Sequence, residues 1–580
     1  MKINKKFIVL IISLILIIIG IGPMIYFTYF AGNYSRTDVN LTSDDGTTIT
    51  SWLYVPNPPP SSGNPVPAVV VTHGFTSSKV SMQGYSIEFV KRGFVVIAID
   101  YRGHGSSGGY LDNRRYTNES PLIDDLMAAV RFLQTRNYVD NKSIAIMGHS
   151  MGGITAIQAA GKYPDEINAT ISIGAILDPN HGEGTVNCSQ ISNFMIGIGQ
   201  LEELFTIEDA LAFMENQLNL TNPQVGVEYG NFSVGNARKL VVSPYADHIL
   251  EMNDKVLIEA SIEWLEDSFY GSIQSPISIT ESIRSIFFLI AALGILLGYL
   301  PIVVYSRKFI FKSKPLIRDI RDTLKVKPQL NIKPCKDIKE KIITSASYSL
   351  IYILGTGIGL LLQFPLSYIF ESTIPKSMAN LFLAIFFGFS IGIFISYILI
   401  KRFIKKDRTQ FYRILINRLK RNLKKSILLG LLVFLYVFAS LSILLQIGYL
   451  DVILGIREIG VFLAMAALIS PYFIIDEMFI RQLQDRVNIK NKYLDWISIT
   501  ILGSISKIAV LIPLLFLNLG FSGLIVAILI IFLPVLQFLT TWLYIHSDIN
   551  PITPMVLSLL FVAWFLTFLM PFGTGFFSLL

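Results

Sequence analysis

The 580-residue chain has only two cysteines, Cys188 and Cys335, six histidines, and charged residues at 15% of its positions. So few cysteines rule out a disulfide scaffold and leave no room for a cysteine-built metal site. Charge this sparse, against roughly 25% in an average soluble chain, excludes a disordered chain and an ordinary cytosolic enzyme. Apolar residues fill 52% of the positions and the mean hydropathy is +0.55. This is the composition of an integral membrane protein.

The formal net charge of +7 is the sum of two opposite parts. Residues 31–282 hold 14 Lys/Arg and 28 Asp/Glu, and the remainder holds 34 and 13. A basic total can signal nucleic acid, but here the basic residues sit in short loops between long apolar runs. They report membrane topology, and no nucleic-acid partner is expected.

The first apolar run, Phe7–Phe30, follows Met-Lys-Ile-Asn-Lys-Lys. About 20 apolar residues cross a bilayer, and this run is longer than the apolar part of a cleaved signal peptide. It predicts an uncleaved anchor over residues 1–31, with Lys2, Lys5 and Lys6 on the cytoplasmic side. Seven or eight further runs, near 284–305, 345–370, 379–400, 426–449, 459–480, 496–518, 521–545 and 553–575, predict a polytopic all-α membrane domain over 283–580. The loops 306–342, 401–425 and 481–495 hold 12, 11 and 4 Lys/Arg, whereas 371–378 and 448–458 hold one each. That asymmetry keeps the basic loops inside and puts residues 32–275 outside the cytoplasm. Eight Asn-x-Ser/Thr triplets, at Asn33, Asn40, Asn118, Asn141, Asn168, Asn187, Asn219 and Asn231, fall only in that outer segment. Their placement fits a glycoprotein.

The outer segment reads as α/β. Asp45-Gly46 between Val39–Leu41 and Thr47–Val55 is a hairpin signal. Continuous apolar runs follow at Ala68–Thr72, Phe94–Asp100, Ser143–Met147, Ala169–Gly174, Phe194–Ile198 and Leu240–Ser243, separated by amphipathic stretches. That pattern predicts a mostly parallel sheet with helices on both faces. The third of these runs leads into Gly148-His149-Ser150-Met151-Gly152-Gly153 and then a helix. Gly-x-Ser-x-Gly between strand and helix is a nucleophile elbow, which lifts the Ser150 hydroxyl to the helix N-terminus. The run Ala68–Thr72 ends in His73-Gly74-Phe75-Thr76, whose turn can aim a backbone N–H at the nucleophile. The N–H groups of Phe75 and Met151 are the candidate oxyanion hole.

His-Gly-Phe-Thr, Asp100-Tyr-Arg-Gly-His-Gly-Ser and Gly-His-Ser-Met-Gly-Gly together resemble the α/β-hydrolase superfamily, particularly its esterase, lysophospholipase and serine-aminopeptidase-like members. The resemblance covers roughly residues 37–270. It implies the order Ser, acid, His, and only His248 follows residue 181 in this segment, just after the last strand. It also implies an acid three residues after the final glycine of the strand Phe194–Gly199, which is Glu202. Glu203 and Asp178 are the alternatives, while Asp247 adjoins His248 too closely to hold its ring. Glutamate in place of the commoner aspartate still fixes the imidazole tautomer. The implied reaction is cleavage of an ester or amide through an acyl-enzyme, with no metal or organic cofactor. His73, His104 and His149 read as hydrogen-bonded turn residues, and His181 as a loop residue over the site. Only Ala175–Ser192 stands where relatives often carry a helical lid, so an open pocket suited to small esters or chain ends is expected.

The membrane half offers three polar features: Lys507 near mid-span, Asp476-Glu477-Met-Phe-Ile-Arg481 closing the preceding span, and Trp542-Leu-Tyr-Ile-His546-Ser-Asp548. The last two resemble pieces of the intramembrane prenyl-protease and abortive-infection family, without its second histidine motif. Lys507 is placed to pair with Asp476 or Glu477. Two functions are consistent with the whole chain. One is a membrane-anchored serine hydrolase acting on an ester, lipid or peptide; the other is a transporter or signalling protein whose outer domain is a sensor.

Overall fold

The computed structural model describes residues 4–177, 185–312, 334–399, 422–509, 511–512, 521–547 and 549–573. Asp178 and His181, the basic loops around 313–333 and 400–421, and Asp548 lie outside the described residues.

Strands β1 (Tyr34–Thr42) and β2 (Thr48–Pro56) form the expected hairpin, with Leu41 opposite Ile49. Gly46 takes φ +85° in its turn, and Asp45 accepts the Thr47 N–H at 3.0 Å. Six strands then run parallel: β3 (Val66–Thr72), β4 (Val95–Ile99), β5 (Val139–His149), β6 (Ala169–Ile173), β7 (Phe194–Gly199) and β9 (Arg238–Ser243). A two-residue strand, β8 (Glu228–Tyr229), pairs antiparallel with β9. The sheet order is β1-β2-β4-β3-β5-β6-β7-β9-β8, so β5 lies at its centre.

The central strands are buried on both faces, which is why their sequences lack alternation. Val70, Ile97 and Ile146 face one core with helices α3 (Pro121–Gln134) and α4 (Met151–Lys162). Val69, Val71, Val96 and Met147 face another with α2 (Gln83–Lys91) and α6 (Lys255–Tyr270). Helix α3 starts where the Ser120 side chain accepts the Leu122 N–H and Pro121 occupies the first turn, a position that needs no N–H donor. The insertion after β7 folds into α5 (Ile207–Gln217), begun by a capping box between Thr206 and Asp209. One triplet, at Asn168, sits at the entrance to β6 with Thr170 fully buried and its own carboxamide accepting the Ile144 N–H.

The remaining helices are α1 (Lys5–Tyr29), α7 (Glu281–Phe311), α8 (Ile338–Phe370), α9 (Ala379–Leu399), α10 (Leu423–Gln446), α11 (Ile456–Val487), α12 (Lys492–Ile508), α13 (Phe521–His546) and α14 (Ile552–Leu569). Among the described residues, eight helices are long and apolar enough to cross a membrane; α12, at 17 residues, is not one of them. Helix α1 would span about 38 Å at 1.5 Å per residue. Its Ile18 is 69% exposed and its Leu14 50%, an apolar surface that water does not tolerate on this scale. Helices α8 and α9 pack backbone to backbone through Gly355 and Gly359 against Gly388 and Gly392. A methyl on Gly359 would lie 2.6 Å from the Phe389 nitrogen, the small-residue contact of helices in lipid.

The α/β unit rests on one end of this bundle. Leu111 N–H donates to Phe572 O at 2.8 Å and Phe572 N–H to Gly103 O at 2.7 Å. Glu88 accepts the Thr280 N–H at 2.9 Å just before α7, and Arg284 reaches the Ile447 carbonyl at 2.9 Å.

Inside the α/β unit, Arg102 bridges buried Asp125 and half-exposed Asp45, each at 2.6 Å. Burial pushes the Asp125 carboxyl up despite the guanidinium beside it. Arg102→Ala leaves that carboxyl unpaired and should cost about 3–5 kcal/mol, read as a lower unfolding midpoint of the full chain in detergent. A loss under about 1 kcal/mol would contradict the pairing.

Candidate active site

The centre of the sheet delivers Ser150. Strand β5 ends at His149, α4 begins at Met151, and Ser150 between them takes φ +54°, ψ −120°. A non-glycine residue in this region costs about 1–3 kcal/mol and persists only where its surroundings enforce it. The enforcement is visible. Ser150 N–H donates to Ile173 O on β6 at 2.8 Å. Gly152 lies so close to β3 that a methyl there would stand 2.7 Å from both the His73 carbonyl and Thr72 Oγ1. Ser150 occupies the N-cap position, yet its hydroxyl caps nothing.

That hydroxyl meets His248 instead. His248 Nε2 lies 2.9 Å from Ser150 Oγ, and Nδ1 lies 2.8 Å from Glu202 Oε2. A carboxylate only accepts, so Nδ1 carries the proton and Nε2 offers its lone pair to the Ser150 O–H. The other Glu202 oxygen accepts the Leu204 N–H at 2.8 Å, which fixes the carboxylate. The main chain of His248 is held at both ends: its N–H donates to Glu203 at 3.1 Å and its carbonyl accepts from His149 Nε2 at 2.9 Å. Of the expected acids, Glu202 therefore meets the ring and Glu203 the backbone. Asp247 caps the Ile249 and Leu250 N–H groups.

The turn histidines are used locally. His73 Nδ1–H donates to the Gly74 carbonyl at 2.8 Å, while its Nε2 accepts the Tyr101 N–H at 3.1 Å. His104 Nδ1–H donates to the Arg102 carbonyl at 3.0 Å. In the turn after β3, Thr76 takes φ +64° and Ser77 N–H returns to Gly74 O at 3.3 Å. Gly74 backs onto the nucleophile, since a methyl there would lie 3.0 Å from Ser150 Cβ. Phe75 follows it on the same turn, and Met151 opens α4, where position alone leaves its N–H outside the helical ladder.

One further residue was not anticipated. Glu251, in a 3-10 turn (Leu250–Asn253), is fully buried beside the chain of contacts. Its Oε1 accepts the Gly199 N–H at 2.6 Å; its Oε2 lies 3.4 Å from His149 Nε2 and 3.8 Å from His248 Nδ1. Burial, then the Glu202 carboxylate nearby, push the Glu251 acid well above the usual carboxylate range. It stands three residues after His248, the one sequence signal that could have found it. Donor atoms of His149, His248 and Glu251 lie within 4.8 Å of one another, a spacing a metal ion could use. His149 Nε2 is engaged by the His248 carbonyl and both His248 nitrogens by Glu202 and Ser150, while His149 Nδ1 has no hydrogen-bond partner among the described residues.

In the helical part, Lys507 Nζ pairs with Asp476 at 2.7 Å, and Tyr352 OH donates to the other Asp476 oxygen at 2.8 Å. Glu477 pairs with Arg481 at 2.7 Å one turn away on α11. Lys507 stands in the last turn of α12, and residues 510 and 513–520 of its expected span lie outside the described residues. One expectation is corrected: Asp476 and Glu477 do not close their helix, because α11 continues to Val487 through buried Arg481, Gln484 and Asp485. His546 Nδ1–H donates to the Trp542 carbonyl of its own helix at 2.9 Å, and its ring lies tilted against that of Trp542.

Residues 63–200 match the sequence profile of the family serine aminopeptidase, S33. A 127-residue stretch is 33% identical to polyketide transferase ATR5 of Stachybotrys chlorohalonatus, covering 22% of this chain and 40% of that protein. A 154-residue stretch is 25% identical to monoacylglycerol lipase of Mycolicibacterium smegmatis, covering 26% and 51%. Dipeptidyl aminopeptidase BIII of Pseudoxanthomonas mexicana is 26% identical over 148 residues, 23% of this chain and 21% of its own. The chain thus spans about half or less of the length of these curated relatives. Among solved structures, Est1E of Butyrivibrio proteoclasticus with bound ferulic acid has a TM-score of 0.30 at 18% identity, over 41% of this chain and 100% of that one. A putative dipeptidyl aminopeptidase IV from Bacteroides ovatus has a TM-score of 0.33 at 18% identity, over 41% and 36%. The α/β unit is an α/β-hydrolase domain.

Glu251 generates a pH test. Its acid is held well above the usual carboxylate range in the folded chain and returns to that range on unfolding. Its contribution to stability is therefore full below the ordinary carboxylate pKa and declines as pH rises toward its raised value. Glu251→Gln keeps an oxygen for the Gly199 N–H and cannot titrate. The variant's unfolding temperature should fall less steeply than wild type between about pH 5 and pH 8. Equal slopes would contradict a protonated Glu251.

Proposed function

We propose that the chain is a membrane-anchored serine hydrolase that cleaves an ester or amide bond through an acyl-enzyme. An anchor at 1–31 precedes a hydrolase domain at 32–275, which faces away from the cytoplasm, and a polytopic domain follows at 283–580. The observation that carries the reading is the contact chain Ser150–His248–Glu202, set on a strained elbow whose serine caps nothing.

In this reading His248 Nε2 takes the Ser150 proton as Oγ attacks the carbonyl, and Glu202 holds the resulting imidazolium. The Phe75 and Met151 N–H groups receive the oxyanion. His248 then protonates the leaving oxygen or nitrogen, and water, deprotonated by the same imidazole, releases the acid and restores Ser150. The names of the relatives span a lipase, an aminopeptidase and a transferase, which supports an ester, lipid or peptide as substrate. Leu201, Tyr245 and Leu250, within three positions of Glu202 or His248 in sequence, are exposed apolar side chains and support a substrate with an apolar group. A second reading, transport or signalling by the helical part, draws support from the buried Asp476–Lys507 and Glu477–Arg481 pairs, because intramembrane charge is costly unless it is used.

Labelling of the full chain by a fluorophosphonate separates the readings. Wild type should label, Ser150→Ala should not, and His248→Ala and Glu202→Gln should slow labelling by roughly 10²–10⁴-fold. A folded wild-type chain that does not label would contradict the hydrolase reading.

A further inference from the structure

A cavity of about 680 Å³ lies between the hydrolase domain and the ends of the membrane helices. Its two walls differ in kind. On the hydrolase side stand hydroxyl and amide groups, among them Asn40, Thr50, Ser77 and Ser106. On the helix side stand mainly apolar residues, Leu450, Ile453 and Leu454 from the segment joining α10 to α11 and Phe568 and Leu569 at the end of α14, with Lys376, Asp451, Arg457 and Glu458 among them. An occupant that satisfies both walls has a polar end and an apolar end.

The charged residues that line the cavity balance, with Lys79, Lys376 and Arg457 against Asp38, Asp451 and Glu458. Lys79 pairs with Asp100, Lys376 lies 3.8 Å from Glu458, and the Arg457 guanidinium sits 4.0 Å over the Phe572 ring. No surplus of one sign remains to recruit a strongly charged headgroup. The hydroxyl and amide groups of the polar wall call for an uncharged headgroup that can hydrogen-bond.

The cavity reaches the turn that carries Phe75, though Ser150, His248 and Glu202 are not among its lining residues. Thr76 lines it, one residue beyond Phe75, in the turn whose Gly74 backs onto Ser150. We propose that the cavity binds an acyl lipid from the bilayer, with an uncharged hydroxyl-bearing headgroup on the polar wall and its chain along the helix ends. In the enzyme this lipid is the ester brought to Ser150, a clause that rests on the serine-hydrolase reading. The helical part then does more than tether: it forms half of the substrate site.

The probe is a monoacylglycerol carrying a diazirine and an alkyne in its chain, offered to the full Ser150→Ala chain in lipid nanodiscs so that binding is read apart from turnover. Crosslinks should map to 446–458 and 76–79. Leu454→Trp and Ser106→Trp, which fill the cavity from opposite walls, should each reduce them at least about fivefold while the unfolding temperature stays near that of the parent. A phosphatidic acid bearing the same chain should crosslink more weakly. Crosslinks elsewhere only, or a yield unchanged by both tryptophans, would overturn the site, and equal labelling by the anionic lipid would overturn the uncharged headgroup. Cavity crosslinks in a chain whose wild type resists fluorophosphonate would leave the lipid site standing and remove only its enzymatic use.

Discussion

Ser150 is held with φ +54° at the junction of the central strand and the helix behind it, and most of the site follows from that constraint. A serine at a helix N-cap normally satisfies a backbone N–H of its own first turn. Here the backbone turns too sharply for that, and the hydroxyl points at His248 Nε2. The turn exists because Gly152 has no side chain where it passes the His73 carbonyl, and because Ser150 N–H is tied to β6. The strain is thus borne by a sheet buried on both faces, the most rigid part of the domain.

The second layer of the site is electrostatic. Three glutamates surround one imidazole, and their roles are divided by geometry: Glu202 meets Nδ1, Glu203 the His248 N–H, and Glu251 the Gly199 N–H. Burial, then the neighbouring Glu202, push the Glu251 acid well above the usual carboxylate range, and Glu202 is the one whose oxygen meets the ring.

The strands of the sheet were legible because each central one is a short, continuous apolar run, and the elbow because its glycines stand at fixed offsets from Ser150. Glu202 was legible only through resemblance, since nothing in Gln200-Leu-Glu-Glu203 itself separates the two glutamates. Glu251 was missed because a 3-10 turn folds it back under His248, and no periodicity marks such a turn. The helical part was legible as apolar runs, but charged residues misled the reading of its ends. Arg481, Gln484 and Asp485 look like a helix terminus, yet they are buried by neighbouring helices and α11 continues through them. The cavity beside His104 was beyond reach, because it is made by packing loops more than three hundred residues apart.

The central claim is that Ser150 carries the acyl group, and rapid quenching tests it most directly. Wild-type chain would be mixed with an activated ester, quenched within milliseconds, digested and weighed peptide by peptide. The account predicts the acyl mass on the peptide containing Ser150, appearing no later than the first equivalent of leaving group. Turnover with no acylated peptide, or with the acyl group on another residue, would contradict it.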